Sequence, residues 1–82
     1  MSDLILVTTA DCHFCERAHE LLAALQVSFR EISVASLEAA ELASRSLPLA
    51  FLPVLTNGER IIAYGRFSEK HLRKELALEG VL

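Results

Sequence analysis

Cys12 and Cys15 are the two residues of this 82-residue chain whose type and spacing point to chemistry. A disulfide between residues three apart encloses so little chain that it would add almost nothing to stability. The pair therefore indicates disulfide exchange, metal binding, or two unrelated cysteines on a helix. Zinc prefers four ligands, and His19 is a third donor nearby, so the ligand set is too small for a zinc site in one chain. A Cys-x-x-Cys sequence beside a strand–helix–strand pattern is typical of redox proteins.

The pair falls where a predicted buried strand gives way to a predicted helix. Residues 4–7 form a continuous apolar run, which predicts a strand covered on both faces. Apolar side chains then recur at helical spacing over about residues 12–26. The free N–H groups and the dipole at a helix start favour a thiolate at Cys12, and Cys15 could resolve a mixed disulfide formed there. The opposite face of this helix carries His13, Glu16, Arg17 and Glu20.

The rest of the chain predicts a second strand, a second helix, a hairpin and a last helix. The predicted ranges are a strand at 27–34, a helix at 35–46, an irregular stretch at 47–52, strands at 54–56 and 60–64, and a helix after residue 68. Asn57-Gly58 is a strong hairpin signal. Ser36 and Ser68 are expected N-caps, and Gly80 is expected to end the last helix.

Length and charge narrow the class of protein. We expect 82 residues to form one domain spanning residues 1–82. Hydrophobic residues make up 52% and charged residues 23%, which is typical of a globular chain. A net charge of −3 argues against binding to nucleic acid or to acidic lipid. No apolar run approaches the ~18 residues of a membrane span, and the N-terminus lacks a secretory pattern, which favours the cytoplasm.

These features together resemble a glutaredoxin, within the thioredoxin-like superfamily. The resemblance is carried by residues 4–7, Cys12-His13-Phe14-Cys15, Leu52-Pro53-Val54, the Asn57-Gly58 turn, Gly65 and the Ser68-capped helix. It implies an α/β thioredoxin-like (glutaredoxin) fold, β-α-β-α-β-β-α, with a four-stranded mixed sheet in the order 2-1-3-4 flanked by three helices. It also implies that Cys12 is the nucleophile and Cys15 the buried resolving thiol.

The resemblance further implies a substrate groove beside the pair. In it, Pro53 is expected to be cis and to face the cysteines. A cis Pro53 would leave the backbone of Leu52 free to pair with an extended peptide or with glutathione. His13 and Phe14 stand where typical glutaredoxins have Pro and Tyr, so these two residues are expected to line the groove as well.

Three more residues bear on glutathione itself. Thr9 stands where a glutaredoxin usually has a basic residue that binds a glutathione carboxylate. Gly65 matches one glycine of the family's Gly-Gly before the last helix. Ser68 lies near the position of an acidic residue that often receives the glutathione ammonium. Because Thr9 has no positive charge, we expect weak glutathione-dependent turnover.

The leading interpretation is a cytoplasmic thiol–disulfide oxidoreductase that reduces protein disulfides or glutathione mixed disulfides through Cys12 and Cys15. No permanently bound cofactor and no metal are expected. Glutathione or a reductase would restore the dithiol, and the chain is expected to be a monomer.

Two alternatives stay open. In one, two copies hold a [2Fe–2S] cluster with the first cysteine of each chain and two glutathiones, as some glutaredoxins do. Proline after that cysteine is thought to disfavour the cluster, and here the residue is His13. In the other, the chain is a non-catalytic binding module with a thioredoxin fold.

Overall fold

The computed structural model describes residues 4–45 and 51–82. Its elements follow in the order β1 (Ile5–Thr8), α1 (His13–Ala24), β2 (Arg30–Ser33), α2 (Leu37–Ser44), β3 (Val54–Thr56), β4 (Ile61–Tyr64) and α3 (Glu69–Leu78). β1 pairs in parallel with β2 and antiparallel with β3, and β3 pairs antiparallel with β4. The sheet order is therefore β2-β1-β3-β4, which confirms the predicted fold class. Residue 46 of the predicted second helix and residues 47–50 of the predicted irregular stretch lie outside the described residues.

β1 is a central strand and is covered on both faces, as its apolar run predicts. Leu6 and Val7 are fully buried, and the alternation of a strand sends them to opposite faces of the sheet. Leu4 and Leu6 belong to a core cluster that includes buried residues of α1 and α3. Ile5 and Val7 belong to a second cluster that includes buried residues of α2. Two helices therefore cover one face of the sheet and one helix covers the other.

The end of α1 explains why β2 starts later than predicted. The N–H of Val27 donates to the carbonyl of Leu22 over 3.1 Å, and Gln26 takes the left-handed conformation with φ +58°. These are the features of a Schellman motif, in which N–H groups just after a helix donate to carbonyl groups of its last turn. Val27 therefore belongs to the end of α1, and pairing with β1 begins three residues later, at Arg30. The prediction of a strand over 27–34 was too long at its start.

The helix N-termini confirm the predicted caps. The Oγ atoms of Ser36 and Ser68 each accept a backbone N–H from three residues further on, over 3.1 Å and 3.2 Å. α1 is capped in the same way by the sulfur of Cys12. Gly80, with φ +79°, follows the last turn of α3 and ends it as predicted. In the described part of the chain, no helix has the length and apolar character needed to cross a membrane.

The hairpin forms at the predicted turn with a loop longer than two residues. The Oδ1 atom of Asn57 accepts the backbone N–H groups of Glu59 and Arg60, each over 2.9 Å. Gly58 takes φ +92°, which a side chain would oppose. Glu59 therefore belongs to the loop, and the pairing of β3 with β4 shifts by one residue beside it.

Candidate redox site

Cys12 and Cys15 form a disulfide at the N-terminal end of α1, with their Cα atoms 5.1 Å apart. Cys12 is half-buried, whereas Cys15 is only 5% exposed. The Sγ atom of Cys12 also accepts a hydrogen bond from the backbone N–H of Cys15 over 3.1 Å. The two sulfurs are therefore not equivalent, because a molecule arriving from solvent has better access to Cys12.

A short polar loop places Cys12 at the start of the helix. β1 ends at Thr8, and the loop turns at Asp11, whose φ of +55° lies in the left-handed region that Asp tolerates better than most residues. The carbonyl of Cys12 then accepts the N–H of Glu16 over 3.2 Å, so helical bonding begins at the cysteine itself. The free N–H groups and the positive dipole end of α1 consequently lie at the sulfur of Cys12.

The disulfide lines an open cavity of about 370 Å³ beside α1, the end of β1 and Glu31 of β2. We call it the acidic cavity, because four carboxylates contribute to its wall. Thr8 and Thr9 add two hydroxyl groups from the end of β1 and the loop after it. Among the described residues that line this cavity, His19 is the one basic side chain. The four carboxylates are those of Asp11, Glu16, Glu20 and Glu31.

Glu31 and His19 form one wall of the acidic cavity together. The Oγ1 atom of Thr8 donates to Oε2 of Glu31 over 2.9 Å, and Oε1 of Glu31 lies 3.8 Å from Nε2 of His19. The His19 ring packs edge-on against Phe29, with 5.3 Å between ring centroids. His19, the third donor considered for a metal, is thus held beside a carboxylate. Within residues 4–45 and 51–82, no group of three or more His, Cys, Asp or Glu side chains is arranged to hold a metal ion.

A second depression lies along another face of α1, between this helix and the start of α3. His13 and Phe14 line it from α1, and Ser68 lines it from the N-cap of α3. Arg17 and Arg66 also line this α1–α3 groove. The structure therefore brings three of the predicted substrate-binding residues together here, while it places Thr9 in the acidic cavity.

Leu52, Pro53 and Gly65 form the third part of the predicted site. The Leu52–Pro53 peptide bond is cis, and Pro53 is fully buried. The N–H of Gly65 donates to the carbonyl of Pro53 over 2.8 Å, which ties the start of β3 to the end of β4. Leu52 is half-buried and packs against the core cluster on the α2 side of the sheet. The role of these three residues in substrate binding stays a prediction.

Sequence reasoning missed the acidic cavity. Helical periodicity assigns Glu16, Arg17 and Glu20 to one polar face of α1, but the structure divides that face. Glu16 and Glu20 lie at the acidic cavity, whereas Arg17 lines the α1–α3 groove. The spacing of four from Cys12 to Glu16 and on to Glu20 was a usable signal. Glu31 gave none, because its place beside the cysteines depends on how β2 pairs with β1.

A mixed four-stranded sheet in this order, with a Cys-x-x-Cys pair at the start of its first helix, is a thioredoxin-like architecture. The family model for glutaredoxin matches residues 4–61. The chain belongs to the glutaredoxin family. The matched region runs from the residue before β1 to the first residue of β4 and includes both cysteines. A comparison with curated proteins gives no match.

Proposed function

We propose that this member of the glutaredoxin family is a cytoplasmic enzyme that reduces protein disulfides or glutathione mixed disulfides. The observation that carries the proposal is the unequal burial of the pair, with Cys12 accessible and Cys15 buried beside it. Exchange through two cysteines needs one sulfur that substrate can reach and one that attacks it from within. The chain has two cysteines, spaced as a redox pair, which also fits a protein from a reducing compartment, where structural disulfides are rare.

The proposed reaction begins with the reduced protein. The Cys12 thiolate attacks one sulfur of the substrate disulfide, the substrate S–S bond breaks, and the departing thiolate takes a proton from water. Cys15 then loses its proton to solvent and attacks the Sγ atom of Cys12. The Cys12–Cys15 bond forms and the second substrate thiolate leaves, so the substrate has gained two electrons. Two glutathione molecules, or a reductase, return two electrons and one proton to the cysteine pair, which restores the Cys12 thiolate and the Cys15 thiol.

The start of α1 supports the first step. A thiolate is the attacking species in disulfide exchange, and a helix N-terminus favours negative charge. The N–H of Cys15 lies 3.1 Å from the Cys12 sulfur and can donate to the thiolate as it donates to the disulfide. The Cys15 side chain lies one turn into the helix, within bonding reach of the same sulfur.

We assign substrate binding to the seven predicted residues, which lie in the acidic cavity, in the α1–α3 groove, and beside the start of β3 and the end of β4. The Oγ atom of Ser68 accepts the cap bond of α3, so its hydroxyl proton remains for a substrate acceptor. We propose glutathione as a co-substrate, no permanently bound cofactor, and a monomer that binds neither nucleic acid nor membrane, in keeping with the net charge of −3. The assigned residues are Thr9, His13, Phe14, Leu52, Pro53, Gly65 and Ser68.

A reductase assay with two cysteine variants tests the proposal. The substrate is a peptide carrying glutathione on its one cysteine, with glutathione and a reductase as alternative electron donors. Cys12→Ser is expected to abolish turnover. With no electron donor added, Cys15→Ser is expected to accumulate a mixed disulfide on Cys12, visible by mass spectrometry. No turnover by wild type, with peptide disulfides or with glutathionylated peptide and either donor, would contradict the proposal and favour a binding module.

A further inference from the structure

We infer that the acidic cavity selects cationic substrates, so that disulfides flanked by Lys or Arg are reduced faster than those flanked by Asp or Glu. The inference rests on the proposed function, because it names the substrate class of the same redox pair. Its starting point is that Cys12 and Cys15 themselves line the acidic cavity. A substrate sulfur in contact with Cys12 therefore brings its neighbouring side chains next to the cavity wall.

The carboxylates reach the acidic cavity from three parts of the chain. Asp11 belongs to the loop before α1, Glu16 and Glu20 lie one turn apart on α1, and Glu31 lies on β2. Residues four apart on a helix share a face, so Glu16 and Glu20 stand above each other beside the cysteines. Negatively charged side chains from the loop, from a helix and from a strand thus line the same cavity as the redox pair.

One of these carboxylates is held in place by a buried side chain. Thr8 is only 8% exposed, and its hydroxyl donates to Oε2 of Glu31 over 2.9 Å. Oε1 of the same carboxylate lies 3.8 Å from His19. Glu31 is therefore fixed at the wall of the acidic cavity by contacts to β1 and to α1.

The nearby cations offset this charge only in part. The Nη1 atom of Arg17 lies 3.8 Å from Oε2 of Glu20, and the two side chains are 64% and 70% exposed. An ion pair that exposed is weak and exchanges readily with solvent or with a ligand. Among the residues that the structure describes, Asp11 and Glu16 form no ion pair. The acidic cavity therefore keeps a net negative charge at neutral pH.

This charge acts over the distance that matters for docking. Exposed charges are screened over about 8 Å at physiological ionic strength, which spans the gap from a substrate cysteine to its neighbouring side chains. Complementary charge mainly raises the rate of productive encounter, and that gain falls as salt rises. Glutathione carries two carboxylates and one ammonium, so the same charge disfavours it relative to a basic peptide.

Three peptides and two double variants test the inference. Each peptide carries one cysteine in a mixed disulfide with the same aromatic thiol reporter, and the residues flanking that cysteine are Lys, Gln or Glu. Pre-reduced protein is mixed with excess peptide, and the second-order rate of reporter release is measured at low salt and at high salt. Glu16→Gln with Glu20→Gln removes two charges from the acidic cavity. Glu41→Gln with Glu59→Gln removes two charges elsewhere, from exposed positions on α2 and in the hairpin loop.

For wild type we expect the Lys peptide to react about tenfold faster than the Glu peptide at low salt, with the Gln peptide between them. The ratio should shrink at high salt. The cavity variant should lower the ratio severalfold, and the control variant should leave it unchanged. Equal rates for the three wild-type reactions would overturn the inference alone, as would a ratio that the cavity variant does not alter. Absence of release with any peptide would overturn the proposed function and the inference with it.

Discussion

The backbone N–H of Cys15 donates to the Sγ atom of Cys12 over 3.1 Å, and this bond is also the N-cap of α1. The same contact therefore closes the first turn of the helix and places a hydrogen-bond donor at the accessible sulfur. A cap at this position usually comes from Ser, Thr, Asp or Asn. A sulfur in its place ties the formation of α1 to the geometry of the redox pair.

In the reduced protein, Cys12 should be the more reactive thiol. It lies at the N-terminus of α1 with the N–H of Cys15 directed at it, whereas Cys15 is 5% exposed. Limited alkylation at mildly acidic pH, mapped by mass spectrometry, should label Cys12 first. The Cys12→Ser variant is the control and should react much more slowly. Preferential labelling of Cys15 in wild type would reverse the roles assigned to the two cysteines.

Thr9→Lys should improve reduction of a glutathione mixed disulfide. Thr9 is exposed at the acidic cavity, and a cation there would bind a glutathione carboxylate and offset the surrounding negative charge. A hydrogen bond to a charged group is worth about 1.5–3 kcal/mol, so we expect the Michaelis constant to fall by roughly ten- to a hundredfold with little change in maximal rate.

The measurement is a reductase assay at several salt concentrations, with Thr9→Gln as a neutral control of similar reach. Lysine should help most at low salt, since exposed charges are screened over about 10 Å at 0.1 M. An equal gain from Lys and Gln would show that side-chain length, and not charge, limits glutathione binding.

Gln26→Gly should stabilise the protein, because Gln26 and Gly80 occupy equivalent positions. Each follows a helix and has positive φ, +58° for Gln26 and +79° for Gly80. In the left-handed region, steric strain destabilises a residue with a Cβ by about 1–2 kcal/mol. Replacing that residue by Gly removes the strain but costs about 0.5–1 kcal/mol, because Gly loses more conformational entropy on folding. We therefore expect a net gain of about 0.5–1 kcal/mol, measured by urea unfolding.

The reverse substitution, Gly80→Ala, is the matched control. A Cβ at residue 80 would meet no atom within 4 Å, so any loss comes from the backbone conformation. The variant should lose about 1 kcal/mol, or about 4–8 °C in melting temperature for a domain of this size. A neutral Gly80→Ala would show that the left-handed conformation costs little at these helix ends.

The Arg60–Glu79 ion pair should make stability depend on pH. Hydrogen bonds from Arg60, and then from Asn57, lower the pKa of Glu79 in the folded protein. The Arg60 atoms Nε and Nη2 lie 2.8 Å and 2.7 Å from Oε2 of Glu79, whose side chain is 12% exposed. Because the folded pKa lies below the unfolded value of about 4.3, this stabilisation is present above pH 4.3 and is lost as pH falls through the folded pKa.

The predicted loss of stability in acid can be checked by measuring the free energy of unfolding between about pH 3 and pH 7, for wild type and for Glu79→Gln. Glu79→Gln should be the less stable protein at neutral pH, and the two curves should converge in acid. Glu59→Gln changes an exposed carboxylate in the neighbouring hairpin loop and should follow the wild-type curve. A constant difference between wild type and Glu79→Gln at all pH values would contradict the effect of Arg60.

The caps and the central strand could be predicted because their causes are local. Ser36 and Ser68 each bond to an N–H three residues on, so the sequence near each helix start contains both partners. Gly80 ends α3 because its own backbone adopts positive φ without a steric penalty. The apolar run at residues 4–7 required cover on both faces, and the structure supplies it with helices on both sides.

The start of β2 could not be predicted in the same way. Valine is a residue type that favours strands, but the N–H of Val27 donates to the carbonyl of Leu22 at the end of α1. Gln26 gives no sequence signal for the left-handed conformation that makes this bond possible, since Gly is the usual residue there. A local helix-ending motif that the residue types do not signal therefore occupies the predicted start of the strand.

The sequence by itself determined that a pair of cysteines sits at the start of a helix after a buried strand, because strand period, helix period and motif spacing are properties of neighbouring residues. Only the tertiary structure decided what surrounds that pair. The bond from Thr8 to Glu31 joins residues 23 apart, and it exists because β1 and β2 pair in parallel with Leu6 opposite Glu31. Charges gathered from a loop, a helix and a second strand act on one disulfide only after the sheet has formed, since the register of that sheet is set by long-range pairing and core burial.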